Sequence, residues 1–441
     1  MNHSPEKLQA YHNRLARTRL HKVNGRVEKV IGLTVESRGP VTKIGDVCLL
    51  HGDGESALCE VVGFRQDLVV LMPLGDIGGL APGSIVEATG ESLQVTVGEG
   101  LLGRVLDGLG QPIDGLGPLS ADLRVPISRD PPPPLSRPLI RSVMATGVRV
   151  IDGLLTLGRG QRVGLFAGSG VGKSTLLGMI ARNSDADVNV IALIGERGRE
   201  VREFIEKDLG SAIARSVVVV ATSDQPPLTR IKGAFVATAI AEYFREAGKD
   251  VTLMMDSVTR FAMALREQGL AIGEPPTARG YTPSVFAALP KLLERAGTAA
   301  HGSITGIYTV LVDGDDMQDP IADAVRGILD GHIVLSRDLA NRGHFPSVDP
   351  LQSVSRLMHD IVSEQQRKAA SRVRAWMAAK RDAEDLIRIG AYQRGSDYLV
   401  DEALEAQQPL ADWLCQNVDE TSSFLATSEA LMSLTKVGEP E

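Results

Sequence analysis

The chain has 441 residues, enough for two or three domains, and 43% of them are hydrophobic, which supports a substantial core. The net charge is −8 with both signs abundant and aromatics at 4%, a balance that argues against an extended basic surface for nucleic acid, so no nucleic acid partner is expected. Cys48, Cys59 and Cys415 are odd in number and far apart, so neither a disulfide framework nor a zinc cluster is indicated and a reducing cytoplasm fits best.

Residues 1–24 form a basic amphipathic segment without the apolar centre of a signal peptide. Leu8, Tyr11 and Leu15 recur at helical spacing among Lys7, Arg14, Arg17, Arg19 and Lys22. Such a segment docks on a partner or on anionic lipid, or remains a solvated arm. No run of about 18 apolar residues occurs anywhere, so any membrane contact is expected to be peripheral.

Residues 25–97 show short apolar alternations at Val27–Val35, Val47–Leu50, Glu60–Phe64 and Leu68–Leu71, punctuated by Arg38-Gly39-Pro40 and Ala81-Pro82-Gly83. They predict a small β-barrel domain. Residues 98–358 open with a glycine-rich stretch and Asp130-Pro131-Pro132-Pro133-Pro134, then alternate strand and helix. Strands are predicted at Arg162–Phe166, Val188–Ile194, Ser216–Ala221, Val251–Met255, Thr305–Val312 and His332–Leu335, the pattern of an α/β fold with a mostly parallel sheet. Functional residues then belong just beyond the carboxyl ends of the strands. Residues 359–441 read as a helical domain with Trp376 and Trp413 as packing anchors.

The first of those strand ends carries Ala167-Gly168-Ser169-Gly170-Val171-Gly172-Lys173-Ser174, with Thr175–Arg182 following at helical spacing. Strand, glycine-rich loop and helix together make a phosphate-binding loop, the Walker A element. Small residues let successive backbone N–H groups turn inward around an anion, and the helix N-terminus adds its partial positive charge. Lys173 is placed for the β- and γ-phosphates of a nucleoside triphosphate and the Ser174 hydroxyl for Mg2+. The usual first glycine is Ala167, a small change unless that position requires a positive φ.

Two further strand ends carry carboxylates. Asp256 closes the apolar strand Val251–Met255 and is the candidate on the metal side of the site, the alternative being a cap on the following turn. Glu196 follows Val190–Ile194 within Gly195-Glu196-Arg197-Gly198-Arg199-Glu200; beside a γ-phosphate it would orient and polarise the attacking water. Arg197 would hold that carboxylate or a phosphate oxygen, unless the segment is only a charged first helical turn.

These residues, with Ser223-Asp224-Gln225-Pro226-Pro227, Gly280-Tyr281-Thr282-Pro283-Ser284-Val285-Phe286 and Asp313-Gly314-Asp315-Asp316-Met317-Gln318-Asp319-Pro320, resemble the flagellar type III protein-export ATPase family over nearly the whole chain. That family is similar to the catalytic subunits of the rotary F- and V-type ATPases. The resemblance implies a RecA-like P-loop core between an N-terminal β-barrel and a C-terminal helical domain, assembled as a homohexamer at the inner membrane's export apparatus. Injectisome ATPases share almost all of these motifs.

The resemblance also implies roles. Glu196 is the catalytic carboxylate, Lys173 and Ser174 are the lysine and hydroxyl of the phosphate loop, and Asp256 is the Walker B aspartate. Arg356, in Ser353-Val354-Ser355-Arg356, matches an arginine finger that enters the neighbouring subunit's site, where such a group is worth about three to five powers of ten in rate. Phe345 stands where relatives carry an aromatic, usually tyrosine, against the adenine; core packing is the competing reading. The acidic loop Asp313–Asp319 lacks the glycine position and terminal glutamate of a calcium loop, and is either a channel-facing contact for a central stalk protein or simply solvated. Implied partners are a cytoplasmic regulator at the N-terminal segment, the stalk, an export gate, and export substrates with their chaperones. A finger donated in trans requires head-to-tail contacts that close into a ring. A non-hydrolysing ring subunit would be expected to lack Glu196, and a Rho-type RNA translocase would call for stacking aromatics and basic grooves.

Overall fold

The computed structural model describes residues 23–52, 56–121, 123–312, 314 and 316–436. The predicted N-terminal helix, apart from Val23 and Asn24, and the acidic residues Asp313 and Asp315 lie outside the described residues. The described chain divides into two compact units, one running to Leu93 and taking in Ala271–Gly273, the other holding the rest.

In the first unit six strands, β1 (Gly25–Ile31), β2 (Thr34–Arg38), β3 (Asp46–His51), β4 (Ser56–Arg65), β5 (Leu68–Pro73) and β6 (Ile85–Ser92), close into a barrel in the order β1-β2-β5-β4-β3-β6. Alternate side chains fill its interior: Val27, Val35, Leu50, Val61, Leu71 and Val86 pack there with Cys48 and Cys59. The apolar alternation Val27–Val35 spans a hairpin, because Gly32 at φ +56° turns β1 back into β2.

The second unit is built on a sheet whose strands run, in spatial order, Val354–Ser355, Gly331–Leu335, Arg162–Ala167, Ser303–Leu311, Asp250–Asp256, Val188–Ile194, Ser216–Ala221 and Val105–Asp107. The strands pair in parallel except at the Val354–Ser355 edge, which is antiparallel, as is the short strand Gly297–Thr298 off the main path. Every residue of Val188–Ile194 and Ser216–Ala221 is buried, so both faces of the sheet are covered there, which is why these strands read as unbroken apolar runs.

Helices fill most of the chain beyond Met358, including Glu364–Asp382, Tyr398–Glu405, Gln407–Leu414 and Phe424–Leu434. Trp376 and Trp413 belong to the same apolar core as Leu165, Leu177 and Ile191 of the α/β region. The Trp376 indole donates to Glu402 at 2.7 Å, and a Cβ on Gly153 would stand 2.5 Å from the Trp413 ring, so glycine is needed for that approach. The carboxyl-terminal helices are thereby fixed against the sheet that carries the phosphate loop.

No helix among the described residues is long and apolar enough to cross a membrane.

Candidate active site

Register brings the strand ends together. Ala167 pairs with Leu311, Met255 with Tyr308 and Leu193 with Asp256, so the loop after Ala167, Thr309, Asp256 and the segment after Ile194 share one edge of the sheet. The loop leaves that edge through Gly170 at φ +78° and Gly172 at φ +89°, left-handed conformations that favour glycine, and the helix Lys173–Asn183 starts at once. Ala167 closes the strand and accepts a hydrogen bond from the Val312 amide at 3.1 Å. It is not among the residues of positive φ, so alanine there carries no backbone strain. Gly168, Ser169, Gly170, Val171 and Gly172 therefore form the loop, with Lys173, Ser174 and Thr175 in the first helical turn.

Lys173 lies between the two carboxylates. Its Nζ is 2.6 Å from Asp256 Oδ1 and 3.6 Å from Glu196 Oε1. Burial opposes its charge, but Asp256 and Glu196 outweigh burial and hold its pKa above the ordinary lysine value. Asp256 is oriented by Thr309, whose hydroxyl donates to Oδ1 at 2.8 Å. Glu196 is pushed up to about 7, first by burial and then by the Asp256 charge, with Lys173 pulling the other way. Its Oε1 is buried without a hydrogen-bond partner.

A second cation completes this cluster, and sequence reasoning missed it. Gly195 adopts φ +73°, and a Cβ there would stand 2.8 Å from Cβ of Arg260, so glycine allows Arg260 to pack against the Glu196 turn. The Arg260 charge acts on both Lys173 and Glu196, and its Nε is buried without a partner. Its position four residues after Asp256, on the first turn of the helix Val258–Ile272, is the signal that could have found it. Arg197, by contrast, is mostly exposed and donates to Glu200 at 2.9 Å. The structure thus places Arg197 on Glu200, whose carboxyl group lies near enough to Glu196 to raise its pKa further.

Beside the loop lies a cavity of about 470 Å³, lined by Gly172, Thr175 and Met179 on one side and by Phe345 and the segment Cys415–Val418 on the other. Phe345 is 45% exposed, and its ring is 3.6 Å from where a Gly172 Cβ would be. Ser347 ties this wall to the loop by donating to the Val171 carbonyl at 2.6 Å. The Cys415–Val418 contribution was not anticipated, since nothing local in those residues suggests a nucleotide base.

Arg356 is elsewhere. Ser355 pairs with Gly331 at the start of a strand whose other end, Leu335, pairs with Ala167, so Arg356 sits about 13 Å of strand away from the phosphate loop. Its side chain is exposed and makes no ion pair or side-chain hydrogen bond among the described residues. It does not reach the Lys173 cluster of its own chain.

Comparison with known proteins accords with this arrangement. Residues 27–90 match the family model for the β-barrel domain of the ATP synthase alpha/beta family, residues 147–355 the model for its nucleotide-binding domain, and residues 362–433 the T3SS EscN ATPase C-terminal domain. The chain is 58% identical to the flagellum-specific ATP synthase of Bacillus subtilis (strain 168), over 94% of this chain and 96% of that one. It is 53% identical to the type 3 secretion system ATPase of Xanthomonas euvesicatoria, over 93% and 94%. The assembled ATPase EscN of enteropathogenic E. coli, solved in complex with its central stalk EscO, superposes with a TM-score of 0.87 at 46% identity, over 93% of this chain and 99% of that one. With a phosphate loop, a buried lysine between two carboxylates and a barrel, α/β core and helical region in this order, the chain is a nucleotide-binding ATPase belonging to the flagellar and type III secretion ATPase family.

Proposed function

We propose that this chain hydrolyses Mg-ATP as a homohexamer that energises flagellar protein export, loading and unfolding substrates and releasing their chaperones at the export gate. The observation that carries the reading is the Lys173, Asp256, Glu196 and Arg260 cluster at the mouth of the phosphate loop. Loop amides and the helix N-terminus would cradle the β-phosphate, with Lys173 and Arg260 countering charge on the γ-phosphate. Ser174 and Asp256 would hold Mg2+, which neutralises the phosphate oxygens when bound. The fit rests on an oxygen-only donor pair beside a buried acceptor, Glu196 Oε1, and a buried donor, Arg260 Nε, that lack hydrogen-bond partners among the described residues.

Glu196 in its ionised form accepts a hydrogen bond from the attacking water and orients it in line with the γ-phosphate. Phe345 stacks on the adenine within the adjoining cavity. Arg356, remote from its own loop and without an ion pair among the described residues, suits a finger for the next subunit, and that geometry requires head-to-tail closure. The assembled relative with its central stalk supports a ring and a stalk partner for this chain as well. Flagellar service is taken from the motif resemblance; flagellar relatives at 58% and 47% identity bracket an injectisome relative at 53%, so both services share this sequence. Flagellar genes beside this one would support that assignment, and needle or translocon genes would overturn it. For the activity itself, Lys173→Ala is expected to abolish both ATP binding and phosphate release; retention of tight ATP binding would sink the reading.

A further inference from the structure

The wall of the base cavity, Cys415–Val418, is held in place by side chains among which Arg149 and Glu420 are absent from the cavity lining. Gln416 is 4% exposed, and its carboxamide is fully engaged: Oε1 accepts from the Arg149 amide at 2.8 Å, while Nε2 donates to the Gly147 carbonyl at 2.8 Å and to the Glu420 carbonyl at 2.9 Å. The Arg149 side chain runs alongside, donating to the Trp413 carbonyl at 2.8 Å, to the Cys415 carbonyl and to the Glu420 carboxylate. Glu420 in turn accepts from the Asn417 amide at 3.2 Å. From the opposite side Arg182, in the last turn of the phosphate-loop helix, donates to the Val418 carbonyl at 2.8 Å. Charged donors on backbone carbonyls are among the stronger hydrogen bonds, so a loop with no regular secondary structure of its own acquires a set shape.

We infer that Arg149, Gln416 and Glu420 are positioning residues for nucleotide recognition: they pin the segment 413–420 so that Cys415–Val418 forms a preorganised wall opposite Phe345. The inference rests on the reading that the base occupies this cavity. Glu420 is the informative member, because it is absent from the cavity lining and can influence the base only through the loop. The Arg182 contact adds a consequence, since any shift of the phosphate-loop helix moves the base wall with it.

The test uses the full chain at ring-forming concentration, with ATP as substrate and magnesium tripolyphosphate, which has phosphates but no base, as competitive inhibitor. Glu420→Ala is expected to raise KM for ATP about threefold and Gln416→Ala about tenfold. In both, kcat stays within about twofold of the parent and the tripolyphosphate inhibition constant is unchanged. The double variant is expected to fall short of the product of the two effects, because both act on one loop. Phe345→Ala provides the reference. If it raises KM for ATP while Glu420→Ala leaves KM unchanged, the positioning role is overturned and the base cavity stands. If Phe345→Ala weakens ATP and tripolyphosphate equally or leaves both unchanged, the base does not bind here and the inference falls with that reading. Should Gln416→Ala show no cooperative melt, the half-buried Glu420 decides alone.

Discussion

The pKa of Glu196 gives the reaction a pH dependence that can be worked out in advance. On the role proposed for Glu196 the productive form is the carboxylate, because it is the stronger acceptor and the only form able to draw the proton of the attacking water. An isolated glutamate would be ionised throughout the neutral range, but burial and the neighbouring Asp256 push this one up to about 7. Ionisation then stands near one half at pH 7, about nine-tenths at pH 8 and about one-tenth at pH 6. The sign is fixed by the raised acid: activity is complete above the pKa and is lost as pH falls through it. Between pH 8 and pH 6, kcat/KM is expected to drop by close to tenfold. Phosphate release should be measured at ATP well below KM, where the profile reports the free enzyme, with light scattering at each pH to confirm constant assembly. A profile level from pH 6 to 8, or an acid limb centred in the ordinary carboxylate range below about 5, would refute the assigned environment of Glu196.

Other expectations follow from separate parts of the molecule. Arg295 and Glu242 form a doubly hydrogen-bonded pair at 2.8 and 2.7 Å, each nearly inaccessible; Glu242→Leu leaves the guanidinium buried and should cost about 3–5 kcal/mol by denaturant unfolding, against well under 1 for an exposed pair such as Arg388 and Glu384. Cys48 and Cys59 are buried in the barrel, where burial pushes the Cys48 thiol up to about 11 and Cys59 higher still. A native thiol titration should therefore count one reactive cysteine, Cys415, and all three after unfolding; rapid labelling of Cys48 in the folded protein would contradict the barrel. Gly172→Ala places a Cβ at φ +89° on the phosphate loop and should weaken ATP binding by about 1–2 kcal/mol, read by calorimetry; unchanged affinity would show that the loop does not need that conformation.

Much of this was legible in the chain itself. Buried parallel strands such as Val188–Ile194 and Ser216–Ala221 have uninterrupted apolar sequences, so their limits were visible, and the phosphate loop carries its own strand and helix context. The barrel was harder. Strand β6 was not anticipated because only Val86 of its eight residues is buried, which leaves almost no alternation to read. Arg260, Thr309 and Cys415–Val418 share the difficulty of distance in sequence: they meet the phosphate loop only once parallel register and the carboxyl-terminal helices are in place. The ion pair of Arg197 with Glu200 reflects a local choice, since a neighbour on the same helical turn competes with a carboxylate across the site.

The central claim is that each catalytic site is completed by the next subunit, Glu196 on one side and Arg356 on the other. Purified Glu196→Gln and Arg356→Ala proteins should each bind ATP and release little phosphate. Mixed in equal amounts and allowed to assemble, they place an intact Glu196 opposite an intact Arg356 at about one quarter of interfaces, so phosphate release should rise towards about a quarter of the parent rate. A mixture as inactive as its components would contradict the shared site.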